Sequence, residues 1–335
     1  MKRTLNLLVL FLCLSSLSVR AQDLHFSQFF ETPLDRNPAL AGIVNGDVRV
    51  QTVYRSQWNS VANAYKTASL NGEYKLPVKG DDFVTLGMQV LFDKAGSTSL
   101  TTTHLLPAVN YHKSLSSERN LYLSVGFMGG LVQRSLDRSR ISTTSSYEGR
   151  GDGENNLQSQ YSYFDGSVGT SLNAQIGENE ENNLVLGVAY HHFNKPRNSF
   201  YNNENIIVQP KWVYSADLKM ALNETSFVSF HNDHVRQGTY SETISGFLYG
   251  LKVGGYSESP EYIIKAGAFM RWQDAVIPVI QIDYKPFTVS LSYDVTVSRL
   301  SKFSYGQGGY ELALRFTGFL DRDNSSANAV LCPRF

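Results

Sequence analysis

The chain has 335 residues, with 30 Lys and Arg against 30 Asp and Glu, so its formal net charge is +0 and there is no basic surplus with which to grip nucleic acid. Two cysteines, Cys13 and Cys332, exclude a disulfide framework. The 19 Tyr, 19 Phe and 26 Gly occur with a mildly negative mean hydropathy, a combination that fits neither a helical membrane protein nor an ordinary soluble enzyme.

Lys2 and Arg3, an apolar core from about Leu5 to Leu17, and small Ala21 before Gln22 form a secretory signal peptide over residues 1–21. The apolar run is shorter than the about 20 residues of a membrane span, so it is a tag removed after Ala21 rather than an anchor. Leu10-Phe11-Leu12-Cys13 is similar to a lipobox, but the apolar sequence continues past Cys13, which argues against lipidation. Roughly 310 residues remain, enough for one large domain or two ordinary ones. The mature chain opens with residues 22–42, where Phe26, Phe29 and Phe30 are interrupted by Pro33 and Pro38 and the stretch stops at Gly42. It reads as neither strand nor helix.

From Val48 the apolar period is two, as expected for strands whose successive side chains face opposite sides of a sheet. Leu121, Leu123, Val125 and Phe127 share one face against Tyr122, Ser124 and Gly126, and Phe287 to Val295 and Tyr310 to Phe316 repeat the alternation. The pattern predicts about fourteen strands, at 48–58, 65–76, 83–93, 99–112, 119–131, 160–176, 183–192, 211–222, 225–234, 240–253, 260–271, 276–284, 286–297 and 308–319. Most are as long as a tilted transmembrane strand requires.

The connections sort by parity. Links around Pro77 to Asp82, Ser114 to Asn120, Gly177 to Asn182, Asn223-Glu224, Gly254 to Ser259 and Lys285 are short, whereas Arg134 to Ser159, Phe193 to Pro210 and Ser298 to Gln307 are long. Short periplasmic turns alternating with longer outer loops are the mark of an outer-membrane barrel. The predicted fold class is therefore all-β: a transmembrane antiparallel β-barrel of about fourteen strands, outer-membrane type, over residues 43–320. Closure leaves no unpaired backbone edge in lipid, and Tyr54, Trp58, Tyr111, Tyr190, Trp212, Tyr214, Trp272 and Tyr284 become interface girdles. An even strand number puts both chain ends on the periplasmic side, so residues 22–42 and the tail 321–335 are expected there. The prolines of the first segment keep it out of the ladder. Its three phenylalanines are expected to pack into the periplasmic mouth or against a periplasmic partner.

Candidate chemistry is sparse. His231 and His234 differ by an odd number and His191 and His192 are adjacent, so in a strand neither pair shares a face and neither is expected to bind a metal. Arg150-Gly151-Asp152 and Asp152-Gly153-Glu154-Asn155 read as surface loop, without the spacing of a calcium site. No Gly-x-Ser-x-Gly elbow occurs, and Gly126 to Gly130 lies in a strand and precedes no helix. No catalytic group, metal or cofactor is expected, and the glycines suit strand bends or a filled lumen.

Specific motifs sharpen this. His25-Phe26-Ser27-Gln28-Phe29, Pro33, and Asn37-Pro38-Ala39-Leu40-Ala41-Gly42 resemble the opening of the PorP/SprF family of type IX secretion membrane proteins of Bacteroidota. Tyr54-Arg55-Ser56-Gln57-Trp58 resembles its Tyr-Arg-x-Gln-Trp, Ser292-Tyr293-Asp294 its late Tyr-Ser-Tyr-Asp, and Gly308-Gly309-x-Glu311 its last-strand motif. Cys332-Pro333-Arg334-Phe335 is similar to a recurrent ending, while residues 134–210 depart most. The resemblance implies an outer-membrane barrel working with periplasmic ring or peptidoglycan-linked components, or with a secreted adhesin whose C-terminal signal domain it holds at the surface in gliding cells. The partner-contact candidates are Phe26, Ser27, Gln28, Phe29, Pro33, Asn37, Pro38, Ala39, Gly42, Arg55, Trp58, Tyr293, Asp294, Gly309 and Glu311. Two other readings stand beside it: a porin-like channel for small solutes, and an outer-membrane lipid hydrolase with a Ser and a His facing each other on the outer wall.

Overall fold

The computed structural model describes residues 24–57, 65–141, 154, 156–256, 259–298 and 307–320. The signal peptide, Trp58, the Arg150-Gly151-Asp152 stretch and the tail 321–335 lie outside them. Fourteen strands run in chain order: β1 Val48–Gln57, β2 Tyr65–Pro77, β3 Phe83–Ala95, β4 Leu100–Ser116, β5 Leu121–Ser135, β6 Gln160–Gln175, β7 Asn183–His191, β8 Lys211–Asn223, β9 Ser226–Gln237, β10 Tyr240–Tyr256, β11 Ser259–Arg271, β12 Ala275–Tyr284, β13 Phe287–Thr296 and β14 Gln307–Gly318. Each pairs antiparallel with its sequence neighbours, and β14 returns to β1, with Val48 opposite Gly318 and Gln57 opposite Gly309, to close the barrel. The predicted strands recur with displaced ends; β4, for example, continues past His112 to Ser116.

The barrel is inside-out relative to a soluble sandwich. On β13, Phe287, Val289, Leu291, Tyr293 and Val295 are exposed, while Thr288, Ser290, Ser292 and Asp294 are buried. Leu131 and Ile280 leave about 60% of their surface open, which only a lipid environment makes favourable. Aromatics gather at two levels of this apolar wall. Tyr262 and Tyr284 stack at 4.8 Å near one end, and Tyr190 lies 4.5 Å from Trp212 near the other. Among the described residues no helix is long and apolar enough to cross a membrane.

One end carries the long connections, after β1, β5, β7 and β13; it is called the long-loop end, and the other the short-turn end. Loop parity is less strict than expected, because the links after β3, β9 and β11 at the long-loop end are also tight. Two long loops are tied together. Gln158 N–H donates to the Phe200 carbonyl at 2.9 Å and Tyr201 O–H donates to Glu154 at 2.5 Å; Arg134 of β5 donates to Asn198 Oδ1 at 2.5 Å, and an Arg197–Ile207 bridge folds the second loop on itself.

Candidate functional site

Residues 24–43 do not stop at a mouth; they run through the lumen. They touch the wall at several levels. Ser27 and Gln28 meet Glu311, four positions into β14 from the long-loop end, while Glu31 meets Gln51 and Arg315 lower on the wall. Arg36 reaches Asp217 and Asp233 in mid-barrel, and Gly42 reaches Glu73 near the short-turn end. This corrects the expected placement of Phe26, Phe29 and Phe30 at the mouth. Phe26 is buried with Val53, Leu91 and Ala313, while Phe29 lies edge-on to Phe269 at 5.6 Å and Phe30 stacks on Phe269 at 5.1 Å. The physical reason is that the inner wall carries apolar patches, Ile244, Leu248, Phe269 and Ile277 for Phe29 and Val53, Leu91 and Ala313 for Phe26, and the charges beside them need partners.

Near the long-loop end, four strands (β1, β11, β13 and β14) and the segment assemble a buried cluster. Arg55 Nη2 lies 2.9 Å from Asp294 and Nη1 lies 2.7 Å from Glu311, with all three side chains at most 3% exposed. Glu311 accepts the backbone N–H of Ser27 at 2.6 Å and of Gln28 at 2.8 Å. Ser27 Oγ donates to Asp294 at 2.9 Å, Gln28 Nε2 donates to Ser292 Oγ at 3.1 Å, and Arg271 adds a second cation 3.1 Å from Asp294. Burial pushes the His25 imidazole down to about 4; Glu242 opposes that shift, while Arg271 and Arg55 reinforce it.

In mid-barrel Arg36 pairs with Asp217 at 3.0 Å and Asp233 at 2.7 Å. Burial alone would lower the Arg36 pKa, but the two carboxylates outweigh it and hold the guanidinium above its ordinary value. Pro33 starts the short helix Pro33–Arg36, whose first turn needs no N–H from it. Asn37 then caps the next turn, accepting from Ala39 N–H at 2.8 Å and donating to the Thr170 carbonyl at 3.1 Å.

Inward glycines on adjacent strands are shaped to this turn. A Cβ on Gly126 of β5 would sit 2.4 Å from Pro38 C, and one on Gly169 of β6 would sit 1.9 Å from Asn37 Oδ1. Across the turn, Asn110 Nδ2 and Ser171 Oγ both donate to the Ala39 carbonyl at 2.8 Å. Gly42 takes a φ of +83°, and a side chain there would collide with Thr85.

Of the sequence-predicted residues, Ser27, Gln28, Arg55, Asp294 and Glu311 therefore form one group; Phe26 and Phe29 pack on two separate apolar patches of the inner wall; and Asn37, Pro38, Ala39 and Gly42 line the fitted turn, with Pro33 opening the helix before it. Gly309 pairs with Gln57 above the first group. Tyr293 is not in it: it points outward, opposite Tyr310. Sequence reasoning missed Glu31, Arg36, Arg49, Asp217, Asp233 and Arg271. For the strand residues Arg49, which pairs with Glu73 at 2.7 Å, Asp217, Asp233 and Arg271 the available signal was inward parity, since a lumen-facing charge requires a partner; Glu31 and Arg36 lie in the N-terminal segment, where no strand parity applies. His231 and His234 do lie on opposite faces, with His231 Nδ1 2.8 Å from Asp217 and His234 Nδ1 2.9 Å from Thr243. For His191 and His192 the expected opposite faces are not found. His192 lies just past the end of β7 with a φ of 56°, so both rings are buried, His191 against Ser167 and His192 against Asp165. The Ser–His contacts of Ser124 with His112 and of Ser167 with His191 are buried on inward-facing strand positions, not on the outer wall. Lumen cavities of about 70 and 50 Å³ flank the segment, enough for a few waters each.

A closed antiparallel barrel with an apolar outer wall and a polar lumen filled by its own N-terminal segment defines an outer-membrane protein of the plugged-barrel class. Residues 18–316 match the family described as type IX secretion system membrane protein PorP/SprF, and the chain belongs to that family. It is thus a membrane component of the type IX secretion system, a role that implies contact with other secretion components. No curated sequence matches. Among solved structures it is similar to the Ralstonia pickettii toluene transporter TbuX, at 11% identity over 85% of this chain and 92% of that one, with a TM-score of 0.49. It is also similar to the P. putida toluene transporter TodX, at 12% over 85% and 93% with a TM-score of 0.45. A third is CdiB from Acinetobacter baumannii, at 7% over 81% and 60% with a TM-score of 0.43.

Proposed function

We propose that the chain is a non-enzymatic component that supports the secretion, the cell-surface attachment, or both, of a secreted partner such as an adhesin of the gliding type. The observation that carries this reading is the filled lumen. A barrel whose interior is occupied from end to end by residues 24–43, locked by buried ion pairs, suits a scaffold better than a conduit for small solutes. The long loops, oriented outward, form the platform for the partner, and their mutual hydrogen bonds give it a defined shape. The signal peptide is removed after Ala21, and the tail 321–335 faces periplasmic components.

Replacing residues 194–209 by a short Gly-Ser linker tests this in the native cell. Partner released to the medium with export unchanged supports attachment, and loss of export supports a secretion role. Normal export and normal surface retention together would overturn the reading.

A further inference from the structure

Charges on the outer wall are not treated alike at the two ends. Near the short-turn end the outward Lys113 of β4 meets Asp82 at 2.8 Å, and Tyr111 donates to the same carboxylate at 2.6 Å. At the long-loop end Lys66 of β2 and Lys94 of β3 are direct partners in the ladder, and both are exposed. They share the outward parity of Leu70 and Phe92, which begin the apolar wall immediately below. Among the described residues neither lysine is paired with a carboxylate. Like charges directly opposite one another in a ladder repel. Their surroundings add polarity without compensating charge: Thr101 is opposite Lys94, and Ser135 is opposite Thr101. Arg140 donates to Ser99 Oγ at 3.0 Å over the β3–β4 turn, and among the described residues its ion pair is the exposed one with Asp137.

We propose that Lys66 and Lys94 clamp a phosphate of an outer-leaflet glycolipid. Neighbouring strands stand about 4.8 Å apart, so two lysines on facing positions can close on one phosphate group. A dianion removes the repulsion that the pair otherwise carries, and the apolar wall beneath receives the acyl chains of the same molecule. The leaflet assignment rests on the reading that the long loops face outward.

Native mass spectrometry of the full mature protein tests this, with bisphosphorylated lipid A, its enzymatically dephosphorylated form and phosphatidylglycerol as probes. The wild type is expected to hold bisphosphorylated lipid A about tenfold more tightly than the other two. Lys66→Gln/Lys94→Gln abolishes that preference, each single variant loses part of it, and Lys113→Gln keeps it. Heat-modifiable migration reports folding of each variant, and the single variants keep the test valid if the double variant fails to fold. Equal retention of dephosphorylated lipid, equal retention of phosphatidylglycerol, or a preference that survives in the lysine variants would overturn the clamp. Orientation is read separately, by labelling Asn205→Cys in a Cys332→Ser background with a membrane-impermeant maleimide on whole cells. Absence of labelling contradicts the outward loops and hence the leaflet, whatever lipid binds in vitro.

Discussion

Arg55→Met is the sharpest perturbation of the plugged lumen. The substitution keeps much of the side-chain volume and removes a guanidinium that is 1% exposed and pairs with Asp294 at 2.9 Å and Glu311 at 2.7 Å. Breaking a buried ion pair by deleting one partner costs about 3–5 kcal/mol, because the other charge is left without compensation. Here Asp294 retains Arg271 at 3.1 Å, and Glu311 retains the N–H groups of Ser27 and Gln28, so the lower end, about 3 kcal/mol, is expected. Urea unfolding of protein refolded into micelles, followed by tryptophan fluorescence, measures the loss. A double-mutant cycle with Glu311→Gln isolates the pairwise part. Limited proteolysis should also cut the variant first at its N-terminal segment. A loss below about 1 kcal/mol, the range of exposed pairs, would refute the argument that this cluster seats the segment.

Gly169→Ala puts a Cβ 1.9 Å from Asn37 Oδ1 and should destabilise the protein by about 1–3 kcal/mol, whereas Gly72→Ala, with nothing within 4 Å, should stay within about 0.5 kcal/mol. Equal effects in urea unfolding would contradict the fitted-glycine account. His25 is held neutral, with a folded value of about 4 against 6.5, so the stability it contributes is complete above pH 6.5 and is lost as pH falls from 6.5 toward 4. Glu242, Asp294, Arg55 and Arg271 face it, so the relevant quantity is the difference between wild type and His25→Asn in urea midpoint across that window. The variant should lose less on acidification, and parallel curves would count against the assignment.

The barrel was legible in the sequence because its rules are local. Alternation at Phe287 to Val295 marks a strand without reference to any other residue, and a strand too polar on one face for a core yet continuous with an apolar face suits lipid outside and a filled lumen inside. The segment's place was not legible, because its partners are remote. Arg36 and Asp233 are 197 residues apart, and no periodicity links them. What the prolines showed was only that residues 22–42 avoid the ladder. The inward glycines 126 and 169 and the inward charges at 55, 217, 233, 294 and 311 recorded the other half of the contact, but their common level in the barrel depends on a register that only the closed structure supplies. The adjacent His191 and His192 were misread for a related reason: parity holds within a strand and lapses where the chain turns out of it at a positive φ. The phenylalanines also acquire a different weight. Buried against the inner wall, they are part of the folded barrel rather than an accessory to it.

The central claim is that residues 24–43 fill the lumen, and single-channel recording in planar bilayers tests it most directly. Intact protein should insert without opening a large steady conductance, and the same protein lacking residues 22–42 should open one while retaining heat-modifiable migration. A large open-pore conductance from the intact protein, unchanged by the deletion, would contradict the account.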